Sequence, residues 1–540
     1  MNKTGKKLAA GIALALAISS LVGCGGGGEI GVEYDFTESD KTISYTWYSA
    51  NWQDFEGRQH DGVIKFLEEK FNVNLNITGA SGTAWQSRLT TEIADNNTPD
   101  VFFSLPDTST YTDYIKKSII TDLNPYIEKA DAKNLKQVLG SEQYKKSALI
   151  DGKNYFLPQS VGYTTRLILA RKDWMAKWNT DSVANGGRGF GEDKKFEQPE
   201  TLSEFTSMLT YFREKDPDGD GKKNTYGMGL STNFDYVQDF FATFGLSPEY
   251  YLDANGDFAY SVYNENYQKM ADWFKAGNDS GYIQTAFYSI TEDDATRNFY
   301  QGKTGVFVTT GNGMLDSLCG AMEEYYSNKN LNYKDLITLL TPPDSDDGKY
   351  QGAFKGWNYF WGGWSISADA EEPMRLIRIF DYLVSPEGQD LMNYGVKTVN
   401  LENRLAEGVP PVFISTINKA NVLDGRYSLG GQWMPNPFKY NAETNKLEDN
   451  YPYDLSRDPE LMKRSHDLIE ETTPNFNALR TIISNPDMSD YNTRIIDAVK
   501  TYTINLIAGK NKADELASLN AKLKSYHSDE LLNYLNKNNK

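Results

Sequence analysis

Apolar and polar positions alternate in a pattern that predicts strands and helices in turn over the first hundred residues. Three runs read as strands, because apolar side chains recur at every second position or fill a short buried run: 42–47, 73–77 and 100–103. Helical periodicity lies between them over 62–71 and again where Trp85, Leu89 and Ile93 share one helix face. A strand–helix–strand–helix–strand order is typical of a doubly wound α/β domain.

The rest of the chain continues with mixed elements and ends in helices. A strand over 166–170 runs into a helix, and Thr201 with Glu204 forms a capping-box pattern at the start of an amphipathic helix. Asn255-Gly256 between tyrosine-rich segments predicts a hairpin, and 306–308 predicts an apolar strand. Helices are predicted in the last third over 371–384, 386–394, 458–470, 492–508 and 511–537.

The N-terminus has the pattern of an export signal. Three lysines precede the apolar stretch 8–20, which is too short to span a bilayer permanently. Leu21-Val22-Gly23-Cys24 resembles a bacterial lipobox, with a chance cysteine after an ordinary signal as the alternative. We therefore predict a signal peptide over 1–23, lipidation at Cys24, and a glycine-rich tether over 24–39. The mature chain would sit on the extracellular face of a cell membrane, and we expect a Gram-positive bacterium.

Composition narrows the partners that this chain can have. With 55 Lys and Arg against 74 Asp and Glu, the formal charge of −19 makes nucleic acid and anionic lipid poor partners. The three His residues are scattered, which argues against a His-based zinc site or catalytic triad. If Cys24 is lipidated, Cys319 has no partner for an internal disulfide. The 10 Trp and 35 Tyr suit wet surfaces that need both an apolar face and a polar group.

One acidic loop resembles the start of a calcium-binding EF-hand loop. Asp216, Asp218 and Asp220 alternate with turn-forming residues, and Gly221 takes the sixth position. Three carboxylates this close repel one another unless a cation is bound. Position twelve, where the EF-hand has a bidentate Glu, is Gly227. The sequence therefore predicts a structural calcium and not a regulatory switch, with a solvated acidic turn as the alternative.

Several segments, taken in order, resemble one protein family. Besides the lipobox they are 98–101, 150–158, 171–174, 199–222, 364–367 and 380–388. Their order and spacing over nearly the whole mature chain are similar to the extracellular solute-binding proteins (family 1) of bacterial ABC importers. The similarity is to the large lipoprotein branch, which is LipO-like and alginate-binding-protein-like.

The resemblance implies a periplasmic-binding-protein-like α/β fold of type II. Two lobes would close on a ligand at a hinge, followed by a helical C-terminal part. The lobes would comprise 40–160 with 295–355, and 161–294 with 356–540. It also implies a monomer without catalytic activity, and a calcium far from the ligand, held by Asp216, Asp218, Asp220, the Lys222 carbonyl and Asn224. Thr225 departs from the family pattern, which often has an acidic residue there.

Ligands of open α/β sheets bind beyond the carboxyl ends of strands, which favours Trp47, Trp52 and Asp107. The most aromatic segment, 355–364, adds further candidates: Trp357, Tyr359, Trp361 and Trp364. Trp433 lies in a loop-like context, and Tyr163 and Arg166 follow the presumed lobe crossing. Core packing is the alternative for each tryptophan, and a role at a helix N-terminus is the alternative for Asp107. Trp85, Trp174 and Trp178 are predicted to pack in the core.

This composition favours an oligosaccharide, because sugar rings stack on indoles while their hydroxyls need polar groups at the rim. The leading hypothesis is a lipid-anchored receptor that captures an oligosaccharide and delivers it to an ABC permease. One alternative is a receptor for a peptide or another polar solute. The other is a surface glycoside hydrolase with two carboxylates, although the sequence isolates no such pair.

Overall fold

The computed structural model describes most of the chain as two mixed sheets covered by helices. The described residues are 34–50, 62–80, 84–104, 108–141, 144–145, 148–150, 152–160, 166–184, 198–232, 235–311, 313–354, 360–394, 439–448, 457–472 and 485–538. The predicted signal peptide, Cys24 and most of the tether lie outside these residues.

The first sheet has five strands in the order β2-β1-β3-β11-β4, and the second has four in the order β10-β5-β9-β6. The strands are β1 Ile43–Ala50, β2 Val73–Ala80, β3 Val101–Ser104, β4 Leu157–Ser160, β5 Arg166–Arg171, β6 Tyr226–Gly229, β7 Tyr250–Leu252, β8 Phe258–Tyr260, β9 Thr304–Thr310, β10 Ile337–Leu340, β11 Phe360–Ile366, β12 Lys439–Asn441 and β13 Lys446–Glu448. Two pairs form hairpins, β7 with β8 and β12 with β13.

The described helices include those predicted in the first hundred residues and in the last third, together with others that the sequence pattern does not predict. They are α1 Gly62–Phe71, α2 Ala84–Ala94, α3 Thr108–Lys116, α4 Asn124–Ala130, α5 Lys133–Gly140, α6 Lys172–Ala184, α7 Leu202–Glu214, α8 Asp235–Gln238, α9 Glu265–Ser280, α10 Glu292–Tyr300, α11 Gly313–Ser327, α12 Pro373–Leu383, α13 Pro386–Tyr394, α14 Pro459–Thr472, α15 Pro486–Ile507, α16 Lys512–Ser525 and α17 Ser528–Asn538. The predicted capping box is present, since the Thr201 side chain accepts from the backbone N–H of Glu204 and the Glu204 carboxylate accepts from the backbone N–H of Thr201.

The five-stranded sheet is the centre of the first lobe. β1 runs parallel to β2 and β3, while β11 runs antiparallel to β3 and β4. In β2 the side chains alternate between buried and exposed, because only one face of this edge strand is covered, whereas β3 is buried throughout. Helices α12 and α13, which directly follow β11, pack on this lobe, with α12 against α1, α4 and α5.

The four-stranded sheet is the centre of the second lobe. β5 is antiparallel to β9 and β10, and β6 is parallel to β9. One continuous apolar cluster joins these strands to the helices beside them and to the C-terminal helices α14 to α17. The helical C-terminal part is therefore packed on the second lobe through a shared core.

The sheet pairing corrects the predicted division into lobes. The prediction places the strands within 295–355 in the first lobe, yet β9 and β10 both pair with β5 in the second sheet. Conversely, it places β11 in the second lobe, whereas β11 lies between β3 and β4 of the first sheet. The hydrogen-bonding partners of a strand are set by chain segments far away in sequence, so a linear reading does not reveal them.

Candidate ligand-binding site

The strands of the first sheet share one edge at which the predicted ligand segments continue. β1, β3 and β4 end there, and β11 begins there, since Gly363 pairs with Ser104 and Phe360 with Ser160. The predicted contacts Trp52, Asp107, Tyr163, Trp357 and Tyr359 occur in the segments adjoining these strand ends in sequence and lie outside the described residues. The Trp361 side chain and Trp433 also lie outside them, so all seven stay predictions.

Two predicted contacts, Trp47 and Trp364, belong to the core of the first lobe. Both side chains are fully buried, and their ring centres lie 5.6 Å apart. Trp364 donates its indole N–H to Gln159 Oε1 at 2.8 Å, and Trp47 lies 6.0 Å from the Phe380 ring of α12. With no exposed surface they pack the sheet against its helices, and the prediction of ligand contact is corrected for both. Trp85, Trp174 and Trp178 are buried as predicted.

Arg166 lies where the second sheet presents the ends of its strands. It begins β5 and pairs with Thr310, the last residue of β9, and β10 ends at the same edge. Its side chain is only 2% exposed, and the guanidinium lies 4.7 Å from the centre of the Tyr236 ring. Tyr236 belongs to α8, the turn of helix that follows the end of β6. The structure therefore places Arg166 at the edge where the strands end, which is where ligands of open α/β sheets bind (the strand-end rule).

Tyr236 was not predicted, although it follows a strand end as the predicted residues do. Burial raises the pKa of its phenol, and the nearby carboxylates of Glu292 and Asp239 add to the shift while Arg166 opposes it. Glu292 also shares a side-chain hydrogen bond with this phenol. Applying the strand-end rule to β6 as well would have found this polar group, in which one buried cation and two carboxylates surround a protonated phenol.

The acidic loop brings its three predicted carboxylates together. One oxygen each of Asp216, Asp218 and Asp220 lies within 4.8 Å of the others. Burial and then the Asp216 side chain raise the pKa of the Asp218 carboxyl, with the Asp220 charge adding to the shift. The Lys222 amide and the Asn224 side chain each donate to an Asp220 oxygen, at 2.8 and 2.9 Å. A convergent set of hard oxygen donors fits a calcium ion.

Neighbouring helices hold this loop in place. Lys177 of α6 donates to the Pro217 carbonyl, and Arg213 of α7 donates to the carbonyls of Lys223 and Thr225. The buried Thr225 hydroxyl donates to the Phe212 carbonyl at 2.6 Å, so it bonds to α7. The loop leads into β6 at Tyr226, which pairs with Thr304, the first residue of β9. The loop therefore lies at the opposite edge of the sheet from Arg166. The seven residues of β9 separate the two edges by roughly 20 Å.

Gly227, at position twelve of the loop, is packed too tightly for a side chain. A β-carbon there would lie 2.4 Å from the carbonyl oxygens of both Leu209 and Tyr282. We expect Gly227→Ala to lower the free energy of unfolding by about 3 kcal/mol, at the upper end of overpacking effects, as measured by urea titration. Gly140→Ala is the control, because a β-carbon at that helix position meets nothing within 4 Å. Equal urea midpoints for the two variants would contradict this reading of the packing.

Among the described residues, no helix is long and apolar enough to cross a membrane.

The solved structures that resemble this one share its fold at low sequence identity. A structure described as an HMO binding ABC-transporter associated solute binding protein from Bifidobacterium longum infantis gives a TM-score of 0.65 at 15% identity, covering 92% of this chain and 98% of that one. The alginate-binding protein AlgQ2, solved without calcium ion, gives 0.65 at 16% identity with the same coverage. FusA of S. pneumoniae in complex with kestose gives 0.64 at 15% identity, again over 92% and 98%. These neighbours confirm the two-lobe α/β fold.

Sequence comparison identifies relatives in Bacillus subtilis (strain 168). The polygalacturonan/rhamnogalacturonan-binding protein YtcQ is 24% identical over 395 residues, which is 72% of this chain and 73% of YtcQ. Lipoprotein LipO is 25% identical over 355 residues, which is 64% of either chain. The model of the bacterial extracellular solute-binding proteins matches residues 38–390. This chain therefore belongs to the bacterial extracellular solute-binding protein family.

Proposed function

We propose that this protein is a lipid-anchored receptor that binds an oligosaccharide between its two lobes and delivers it to an ABC permease. The observation that carries the proposal is the buried Arg166–Tyr236 pair at the strand-end edge of the second sheet. The aromatic segments predicted to contact ligand adjoin the corresponding edge of the first sheet in sequence. Closure would bring the two edges together around the ligand, as in other hinged binding proteins.

The chemistry of these edges suits a sugar. A guanidinium and a protonated phenol donate hydrogen bonds, carboxylates accept them, and indole faces cover the apolar side of a pyranose ring. A site that mixes these groups binds hydroxyl-rich ligands without any covalent step. The names of relatives support the same class, since YtcQ is named as a polygalacturonan/rhamnogalacturonan-binding protein and FusA was solved with kestose. Anchoring through Cys24 rests on the lipobox and on the naming of LipO as a lipoprotein.

The test is calorimetry of the purified mature protein with plant-wall, fructan and host-type oligosaccharides, and with peptides. Arg166→Lys should weaken sugar binding at least about tenfold, or 1.4 kcal/mol, because a lysine cannot reproduce the fork of the guanidinium. Arg171→Lys at the other end of β5 is the matched control: Arg171 bonds to Asp173 and lies 4.9 Å from the Trp174 ring. Arg171→Lys should change the stability of the protein and leave its affinity for sugar unchanged.

Other outcomes would point to the alternatives. Tight peptide binding without sugar binding would show that the protein is a receptor for peptides. Release of shortened sugars on incubation would show that it is a glycoside hydrolase. Equal affinity losses in the two arginine variants would show that Arg166 is not part of the binding site.

The acidic loop has a separate role in this proposal. We propose that Asp216, Asp218 and Asp220, with the Lys222 carbonyl and Asn224, hold a structural calcium ion that fixes the loop between α7 and β6. The convergence of the three carboxylates supports it. Among the fold neighbours, AlgQ2 was solved without calcium ion and FusA also as an EF-hand mutant.

A further inference from the structure

A cavity of about 210 Å³ lies in the second lobe between the β7–β8 hairpin, the turn α8 and the middle of α15. Two tyrosines of the hairpin, Tyr250 and Tyr260, line it together with Ile495 and Val499 of α15. None of these residues belongs to the Arg166–Tyr236 pair or to the acidic loop. The cavity is therefore a distinct feature of the lobe.

The two tyrosine rings are fixed before any ligand arrives. Tyr250 donates its hydroxyl to Asn492 Oδ1 of α15, and Tyr260 donates to the Ser528 carbonyl at 3.1 Å. The ring centres lie 5.4 Å apart at an angle of 37°. Because both hydroxyls already donate hydrogen bonds within the protein, the two tyrosines contribute their ring surfaces to the cavity. Neither tyrosine side chain has to be ordered when a ligand binds.

Polar groups complete the lining. Gln238, which is 4% exposed, contributes an amide, and Glu249, Asp497 and Lys500 contribute charged groups closer to solvent. Two carboxylates against one ammonium give the lining a net negative charge, which disfavours an anionic ligand. Ring surface with a few amide and carboxylate groups around it is the composition of a site for a neutral hydroxylated ligand.

The volume sets the size of that ligand. An engineered cavity of about 150 Å³ holds a benzene molecule, so 210 Å³ has room for one six-membered ring with its substituents. Typical pockets for larger molecules start at about 300 Å³. The cavity therefore suits a single sugar ring.

The cavity is lined by elements that also contact the two strand-end edges or the helices beside them. Gln238 is the last residue of α8, the same helical turn from which Tyr236 contacts Arg166. On the other side, α15 contacts α3 of the first lobe, the first helix after the end of β3. An oligosaccharide held at these edges could extend one ring into the cavity.

We propose that this cavity is a remote subsite that receives a terminal neutral sugar ring of a bound oligosaccharide. The proposal rests on the oligosaccharide-binding function proposed above and adds to it a preference for chain length and for an uncharged end. It predicts that affinity rises by at least about tenfold when the chain becomes long enough to reach the cavity.

The experiment is calorimetry with neutral xylo-, manno- and fructo-oligosaccharides of two to six rings, and with oligogalacturonates of the same lengths. Val499→Phe fills the cavity, and Asp497→Asn removes one charged acceptor from its rim. Asp490→Asn is the control on the same helix, since Asp490 pairs with Arg494 and does not line the cavity. Melting temperatures and affinities for the shortest bound sugar verify that each variant is folded.

In the wild type and in Asp490→Asn, we expect one added ring to raise the affinity tenfold or more. This rise in affinity should be lost in Val499→Phe and reduced in Asp497→Asn, while the affinity for short chains should be unchanged. The same dependence on length in Val499→Phe and in the wild type would overturn the subsite and leave the receptor function intact. Binding of oligogalacturonates alone would overturn the neutral class, and no binding of any oligosaccharide would overturn both proposals.

Discussion

Replacing Arg375 with methionine should lower the free energy of unfolding by about 3–5 kcal/mol, the range for removing one partner of a buried ion pair. Arg375 on α12 donates to the Glu372 carboxylate at 2.7 Å, and the two side chains are only 8% and 5% exposed. It also donates to the carbonyls of Ser39, Lys41 and Asn72. The variant would leave a buried carboxylate and three carbonyl groups without this donor. Urea unfolding at neutral pH measures the loss.

Arg378→Met is the matched control, one helical turn further along α12. Arg378 pairs with Glu38 across a surface where the two side chains are 47% and 38% exposed, so we expect a loss of at most about 1 kcal/mol. Similar losses in the two variants would mean that burial does not strengthen the Arg375 contact.

The Arg375 contribution should also depend on pH. Burial acts to raise the pKa of Glu372, but bonds from Ser39 and Arg375 outweigh it and hold the pKa below its ordinary value of 4.5. A carboxyl group with a lowered pKa in the folded state stabilises that state above its ordinary pKa and loses this effect as the pH falls. The stability difference between wild type and Arg375→Met should therefore be full at pH 7 and shrink below about pH 4.

Removing calcium should destabilise the protein without changing its affinity for sugar. At a free calcium concentration one hundred times the dissociation constant, a bound ion contributes about 2.7 kcal/mol, and chelation removes this. The loop lies at the sheet edge opposite Arg166, so the ligand edge should keep its geometry. Thermal melts with calcium and with chelator measure the first effect, and calorimetry with the best sugar measures the second.

Asp218→Asn should melt at the same temperature with calcium and with chelator, because it loses one of three converging carboxylates. Asp279→Asn is the control, since Asp279 is a surface carboxylate paired with Lys275, and it should keep the calcium response. If the wild-type melting temperature is the same with and without chelator, the proposal of a structural calcium ion is wrong. A fall in sugar affinity on chelation would show that the loop reaches the ligand edge after all.

The local elements were predictable because they depend on residues close together in sequence. The alternation over 42–47 became β1, the Thr201–Glu204 capping box began α7, and Asn255-Gly256 joined β7 to β8. The predicted C-terminal helices also formed, with the last one divided into α16 and α17 at His527. His527 has a φ of +56°, a left-handed conformation that interrupts a helix.

The candidate site was predictable only in part. Arg166 is a candidate because it follows the presumed lobe crossing; the structure places it at a strand-end edge of the second sheet, and its contact with a ligand stays a prediction. The strand-end rule, applied to β6 as well, would have included Tyr236. Ligand contact is wrongly predicted for Trp47, from the strand-end rule, and for Trp364, from the aromatic segment 355–364. Alternation shows which residues share a face of a strand and does not show which face the helices cover.

The sequence by itself determined the class of fold, the family and the carboxylate pattern of the acidic loop, since each depends on local periodicity or on residues at fixed spacing. Tertiary structure decided which sheet each returning strand joins, as the placement of β9, β10 and β11 shows. It also decided that Gly227 has no room for a ligand side chain, and that a cavity forms between α15 and the β7–β8 hairpin. The physical reason is that strand partners, close backbone approaches and cavities arise between segments that are distant in the chain.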